Sequence, residues 1–94
     1  MIKSFRDAEA AKIFRRAASR KLPPEIQQRA FQKLNALAAA ITLDDLRLPP
    51  SNRLEALKGS REGQWSIRIN DQWRLCFVWE ADGASGVEIV DYHK

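Results

Sequence analysis

One cysteine and one histidine are all that this chain of 94 residues has of soft metal ligands and imidazole bases. Cys76 alone excludes an internal disulfide framework and suits a reducing compartment. With His93 it is too small a set for a zinc site of the usual type. No glycine-rich loop leads from a strand into a helix, and no Ser, His and Asp share a nucleophile context, so the sequence argues against nucleotide-cradling, metal and covalent mechanisms. No cofactor is expected. Apolar runs are short: none approaches the roughly 18 residues of a membrane span, and Met1 to Phe14 is charged throughout, unlike a signal peptide. A cytoplasmic protein without a membrane partner is the expectation.

What is present is charge and short amphipathic pattern. The chain is 45% hydrophobic and 30% charged, which fits one small globular domain over residues 1–94 with no room for two cores. Sixteen Lys and Arg against twelve Asp and Glu give a net charge of +4. That balance suits a polyanionic partner, although net charge speaks to association and not to fold.

Met1 to Phe5 reads as an edge strand, and Asp7 as the N-cap of a helical run from Ala8 to Ala18. Pro24 suits the first position of a second helix, on which Ile26, Ala30, Leu34, Leu37 and Ile41 form one apolar face. Thr42 to Ser51, ending in Pro49-Pro50, reads as an extended connection. Asn52 to Lys58 is a strand of mixed pattern, followed by a turn at Gly59 to Gly63. Trp65, Ile67 and Ile69 alternate with Ser66, Arg68 and Asn70. Beyond a turn at Asn70-Asp71-Gln72, Trp73, Leu75, Phe77 and Trp79 alternate with Arg74, Cys76 and Val78. This strand is apolar on both faces apart from Arg74, so it should be central. Asp82 to Gly86 reads as a turn before a last strand, Val87 to Tyr92, with Val87, Ile89 and Asp91 on one face and Glu88, Val90 and Tyr92 on the other. Short turns make antiparallel neighbours. The fold class is α+β: two N-terminal helices packed on a twisted, mainly antiparallel sheet of four to five strands.

Between Glu55 and Arg74 a basic cluster of Lys58, Arg61, Arg68 and Arg74 surrounds two glycine turns. Ribose can cleave its own phosphodiester when a group takes the 2′-OH proton, another protonates the leaving oxygen and cations hold the charge. Tyr92, His93, Asp91 and Glu55 are candidate acid or base groups; Lys58, Arg61 and Arg74 are candidate phosphate clamps. Each has a plainer role as well. The tryptophans fit core, Cys76 fits a small buried hydrophobe, and Arg68 fits sheet-surface charge. Arg74 must pair with a carboxylate such as Glu55 or Asp91, or face a functional groove.

Leu57-Lys58-Gly59-Ser60-Arg61-Glu62-Gly63, Trp65-Ser66-Ile67-Arg68, Gln72-Trp73-Arg74 and the terminal Asp91-Tyr92-His93 resemble the HigB branch of the RelE/ParE toxin superfamily, as does Met1-Ile2-Lys3-Ser4-Phe5. The resemblance implies a ribosome-dependent, metal-independent endoribonuclease, an mRNA interferase that cuts mRNA in the A site. It also implies a hetero-oligomer with a HigA-like helix-turn-helix antitoxin. It carries catalytic or RNA-binding roles onto Lys58, Arg61, Arg74, Asp91, Tyr92 and His93, and Arg68 extends the RNA track. Some members have a histidine before the Leu-Lys-Gly turn where this chain has Glu55, which leaves the general base open. Two other readings stand beside it: a ParE-like inhibitor of DNA gyrase without catalysis, and a basic module that binds rRNA or DNA through its sheet.

Overall fold

The computed structural model describes residues 1–92. Two helices, α1 (Ala8–Phe14) and α2 (Pro24–Ala39), precede a four-stranded sheet of β1 (Glu55–Ala56), β2 (Trp65–Arg68), β3 (Trp73–Glu80) and β4 (Gly83–Asp91). The strands run in sequence order, each antiparallel to the next. This is the expected α+β arrangement with four regular strands.

Both helices lie on one face of the sheet because each has one apolar stripe to bury. Ala10 and Ile13 from α1 and Ile26, Ala30, Leu34 and Leu37 from α2 meet Ile67, Leu75, Phe77, Val87 and Ile89 of the sheet. Asp7 starts α1 by accepting from the Glu9 amide at 2.8 Å, and its second oxygen accepts from the Ile89 amide at 3.3 Å, fastening the helix to β4. Trp65, Trp73 and Trp79 pack against this core at its edges. Cys76 is fully buried on β3. No helix of the described residues is long and apolar enough to cross a membrane.

Several boundaries differ from the sequence expectation. Helix α1 ends at Phe14, not Ala18, because the chain turns through a left-handed Arg16 at φ 66°. Helix α2 ends at Ala39, so Ile41 leaves the stripe and is 83% exposed. Leu43–Arg47 and Pro50–Asn52 are 3-10 turns, not an extended connection. Thr42 and Asp45 cap the first of these reciprocally, a short-range exchange that closes a turn where prolines further on suggested extension.

The strand expected from Asn52 to Lys58 shrinks to Glu55–Ala56, since Asn52 is drawn into the core and Arg53 is left-handed at φ 45°. Strand β4 begins at Gly83, inside the stretch read as a turn. Ile2 and Phe5 make isolated parallel bridges to Ala84 and Val87, in place of a regular edge strand. At Gly83 a Cβ would run into the Met1 carbonyl, so this glycine admits the N-terminal segment alongside β4.

Candidate functional site

The sheet face away from the helices carries the polar alternates of the same strands. Register places Glu55 opposite Ser66, Arg68 opposite Arg74, Ser66 opposite Cys76 and Cys76 opposite Glu88. A groove of about 430 Å³ opens on this face, lined by Arg53, Glu55, Arg68, Asn70, Asp71, Arg74 and Tyr92.

Arg74 is its fixed point, with a side chain only 11% exposed. Its Nε donates to Ser66 Oγ at 2.7 Å and its Nη2 to the Arg53 carbonyl at 2.6 Å, while Glu55 Oε1 lies 3.8 Å from Nη2. Nη1 makes no bond to a described residue. Nε and Nη2 of the planar fork are therefore held by the protein, which leaves Nη1 as its uncommitted donor in a side chain that lines the groove.

The holders have local causes. Asn52, fully buried, donates to the carbonyls of Leu46 and Leu48 at 3.1 and 3.2 Å, and the left-handed Arg53 that follows aims its own carbonyl at Arg74. Ser66, also fully buried, pairs with Cys76 across β2–β3 and so lies diagonal to Arg74, within reach of its guanidinium.

Tyr92 follows β4, with its backbone N–H on the Gln72 carbonyl at 2.6 Å and its ring 6.0 Å from the Arg74 guanidinium carbon. The Cys76 thiol points to its hydroxyl at 3.9 Å. Burial pushes the phenol pKa up against the opposing pull of Arg61 and Arg74, so Tyr92 keeps its proton at neutral pH and can serve as an acid rather than a base. Burial likewise raises the Cys76 thiol, which keeps it un-ionised and unreactive.

Arg61 ends the 3-10 turn Gly59–Arg61 and donates to Gln64 Oε1 at 3.0 Å and Glu88 Oε2 at 3.1 Å. The Glu88 contact is the main reason its pKa is raised. Arg6 also reaches Glu88, at 3.6 Å.

Of the residues expected from sequence, Glu55, Arg68, Arg74 and Tyr92 meet in the groove, and Arg61 is close enough to Tyr92 to act on its charge. Lys58 opens the turn that Arg61 closes; its ammonium is exposed and makes no bond to a described residue. Arg68 pairs with Asp71. Asp91 is not in the groove. It lies across from Trp73 at the sheet end, where Gln72 Nε2 donates to it at 3.1 Å. His93 lies outside the described residues. Sequence reasoning passed over Arg53, Ser66 and Glu88. Ser66 and Glu88 shared the strand parity of Arg68 and Tyr92, which was a usable signal, whereas the carbonyl of Arg53 had none.

Among the described residues no three His, Cys, Asp or Glu side chains converge as a metal site. What the groove offers an anion is the fixed Arg74 guanidinium, with a carboxylate and a protonated phenol among the residues that line it.

Comparison with known proteins places this geometry among relatives. A family model described as the RelE-like toxin of type II toxin-antitoxin system HigB matches residues 3–93. Toxin HigB-1 of Vibrio cholerae serotype O1 is 45% identical over 75 residues, 80% of this chain and 78% of the relative. Endoribonuclease HigB of Proteus vulgaris is 31% identical over 93 residues, 99% of this chain and 100% of the relative. Among solved structures, a YafQ variant from E. coli superimposes with a TM-score of 0.63 at 14% identity, covering 97% of this chain and 91% of that one. That last likeness speaks to the fold alone.

Proposed function

The chain belongs to the HigB-like family of RelE-like toxins of type II toxin-antitoxin systems, and from that membership and the Arg74 groove we propose that it cleaves mRNA on the ribosome. It is an endoribonuclease toxin whose partner is an antitoxin, in keeping with the family and with the relative named as an endoribonuclease. That relative favours the catalytic reading over gyrase inhibition or passive nucleic-acid binding. The finer reading is that the antitoxin is HigA-like, with a helix-turn-helix domain, forming a hetero-oligomer, and that cleavage occurs in the A site, in the cytoplasm.

The observation that carries the mechanism is the Arg74 guanidinium in the groove, locked through Nε and Nη2 by Ser66 and Arg53, with Nη1 bonded to no described residue and the Tyr92 ring 6.0 Å away. In the proposed reaction Nη1 holds a non-bridging oxygen of the scissile phosphate, with Arg61 and Lys58 adding positive charge. Glu55, half-exposed on the groove rim, takes the proton of the 2′-hydroxyl as that oxygen attacks phosphorus. The bond to the 5′-oxygen breaks, and Tyr92 delivers a proton to it. The products are a 2′,3′-cyclic phosphate and a 5′-hydroxyl, and the charge balance needs no metal. His93 adjoins this acid in sequence and is proposed to assist it, while Asp91 positions the strand end through Gln72.

A groove this open does not by itself impose in-line geometry on a flexible strand, so the ribosome supplies it. The test is to incubate the protein with a programmed ribosome complex and map the mRNA ends, with free mRNA as control. Cleavage confined to the ribosome-bound message supports the reading; intact message overturns it.

A further inference from the structure

Helix α2 turns cations toward the end of the groove and no carboxylate to meet them. Arg29 Nη1 reaches the Ile69 carbonyl at 3.5 Å, and Lys33 Nζ donates to Oδ1 of the buried Asn52. Ile69 is followed by Asn70 and Asp71, and Asn52 by Arg53, all three of which line the groove. Arg29 and Lys33 therefore hold residues adjacent in the chain to the groove lining, and Lys33 is near enough to Arg68 to feel its charge.

Among the described residues neither Arg29 nor Lys33 forms a salt bridge. They stand one turn apart as a like-charged pair, which disfavours the helix. Burial and then the nearby charges of Arg29 and Arg68 pull the Lys33 ammonium pKa down. The only carboxylate in the cluster, Asp71, is 97% exposed and paired with Arg68. Three clustered cations that share one exposed carboxylate, two of them held only by neutral oxygens, mark a place where an external anion completes the charge balance.

We propose that Arg29, Lys33 and Arg68 form a second phosphate subsite, which continues the groove and holds the backbone of the RNA strand at a nucleotide flanking the scissile bond. The proposal rests on the reading of the groove as an RNA site.

The test is fluorescence anisotropy of the full chain with 2′-O-methyl RNA, which cannot be cleaved, using a trinucleotide and an oligonucleotide of about ten residues over a salt series. Wild type should bind the longer RNA more tightly. Arg29→Gln should weaken that binding by about three- to tenfold and lower the log–log salt slope by about 0.7, one phosphate contact on a single strand. Trinucleotide affinity should not change, and the melting temperature should hold or rise, since a repulsion is removed. Arg29→Lys should restore the slope, and Asp71→Asn should tighten binding.

Wild-type affinity and slope in both Arg29→Gln and Lys33→Gln would overturn the subsite, as would equal binding of the two lengths by wild type. Ribosome-bound mRNA is assayed with the same preparations. If wild type cleaves it while the subsite predictions fail, only the subsite falls; if wild type leaves it intact, the reading of the groove falls and the subsite with it.

Discussion

Replacing Arg74 by lysine keeps the charge and removes the fork, which separates the two things the residue does. The guanidinium spends Nε on Ser66 Oγ at 2.7 Å and Nη2 on the Arg53 carbonyl at 2.6 Å, leaving Nη1 for substrate. A lysine ammonium is a point donor on a flexible stem; if it satisfies Ser66 or Arg53 it cannot also stand at the Nη1 position. Losing one preorganised donor to a developing oxyanion costs about 2.7–4 kcal/mol, so single-turnover cleavage of ribosome-bound mRNA should fall by about 10² to 10³. Stability should fall by only about 1–2 kcal/mol, because one buried acceptor loses its partner while the charge remains. The assay pairs quenched-flow cleavage with urea unfolding followed by tryptophan fluorescence. Cleavage within about threefold of wild type by a folded Arg74→Lys protein would refute the reasoning.

Further outcomes follow from the same contacts. Tyr92→Phe should lower the cleavage rate by about 10² to 10⁴, the usual worth of a positioned proton donor, and leave the urea midpoint nearly unchanged; near-wild-type cleavage would remove Tyr92 from the chemistry. The carboxyls of Glu9, Asp45 and Asp82 are held below their ordinary pKa by the Ser19 hydroxyl, the Thr42 and Ile41 amides, and Lys3 respectively. Each binds its proton more weakly folded than unfolded, so its contribution is full above the ordinary carboxylate range and is lost as pH falls below about 4. Urea midpoints should therefore drop over that window, and Asp45→Asn should flatten the drop; a midpoint that rises on acidification would contradict the assignments. Gly83→Ala should destabilise by about 1–3 kcal/mol in thermal melts, because its methyl displaces the Met1 carbonyl from β4. An unchanged melting temperature would mean that the N-terminal segment is not fixed there.

The parts of the fold that sequence revealed are those with an uninterrupted period. The i, i+4 stripe of α2 and the alternation of β2 and β3 each bury one side against the other, so pattern and burial agree. Where a single residue decided the outcome, pattern failed. Ile41 continued the stripe, but Ala40 already adopts an extended conformation and takes the chain off the helix. Gly83 looked like turn chemistry, yet its lack of a side chain serves the close passage of the N-terminal segment.

The site divides in the same way. Alternation put Arg68 and Arg74 on the open face and separated Tyr92 from Asp91, as the structure has it, although Asp91 is a candidate acid or base group both by residue type and by resemblance. The backbone carbonyl of Arg53, which holds Arg74, depends on a left-handed residue behind a buried asparagine, and no side-chain pattern encodes that.

The central claim is that a guanidinium-clamped groove turns the ribose 2′-hydroxyl on its own phosphate. The chemistry of the new ends tests this most directly. Ribosome-bound mRNA cut by the protein in the presence of a chelator should carry a 2′,3′-cyclic phosphate on the upstream fragment and a 5′-hydroxyl on the downstream one, and a single 2′-deoxy substitution at the cut should abolish cleavage there. A 3′-hydroxyl with a 5′-phosphate, or unimpaired cleavage at the deoxy position, would contradict the account.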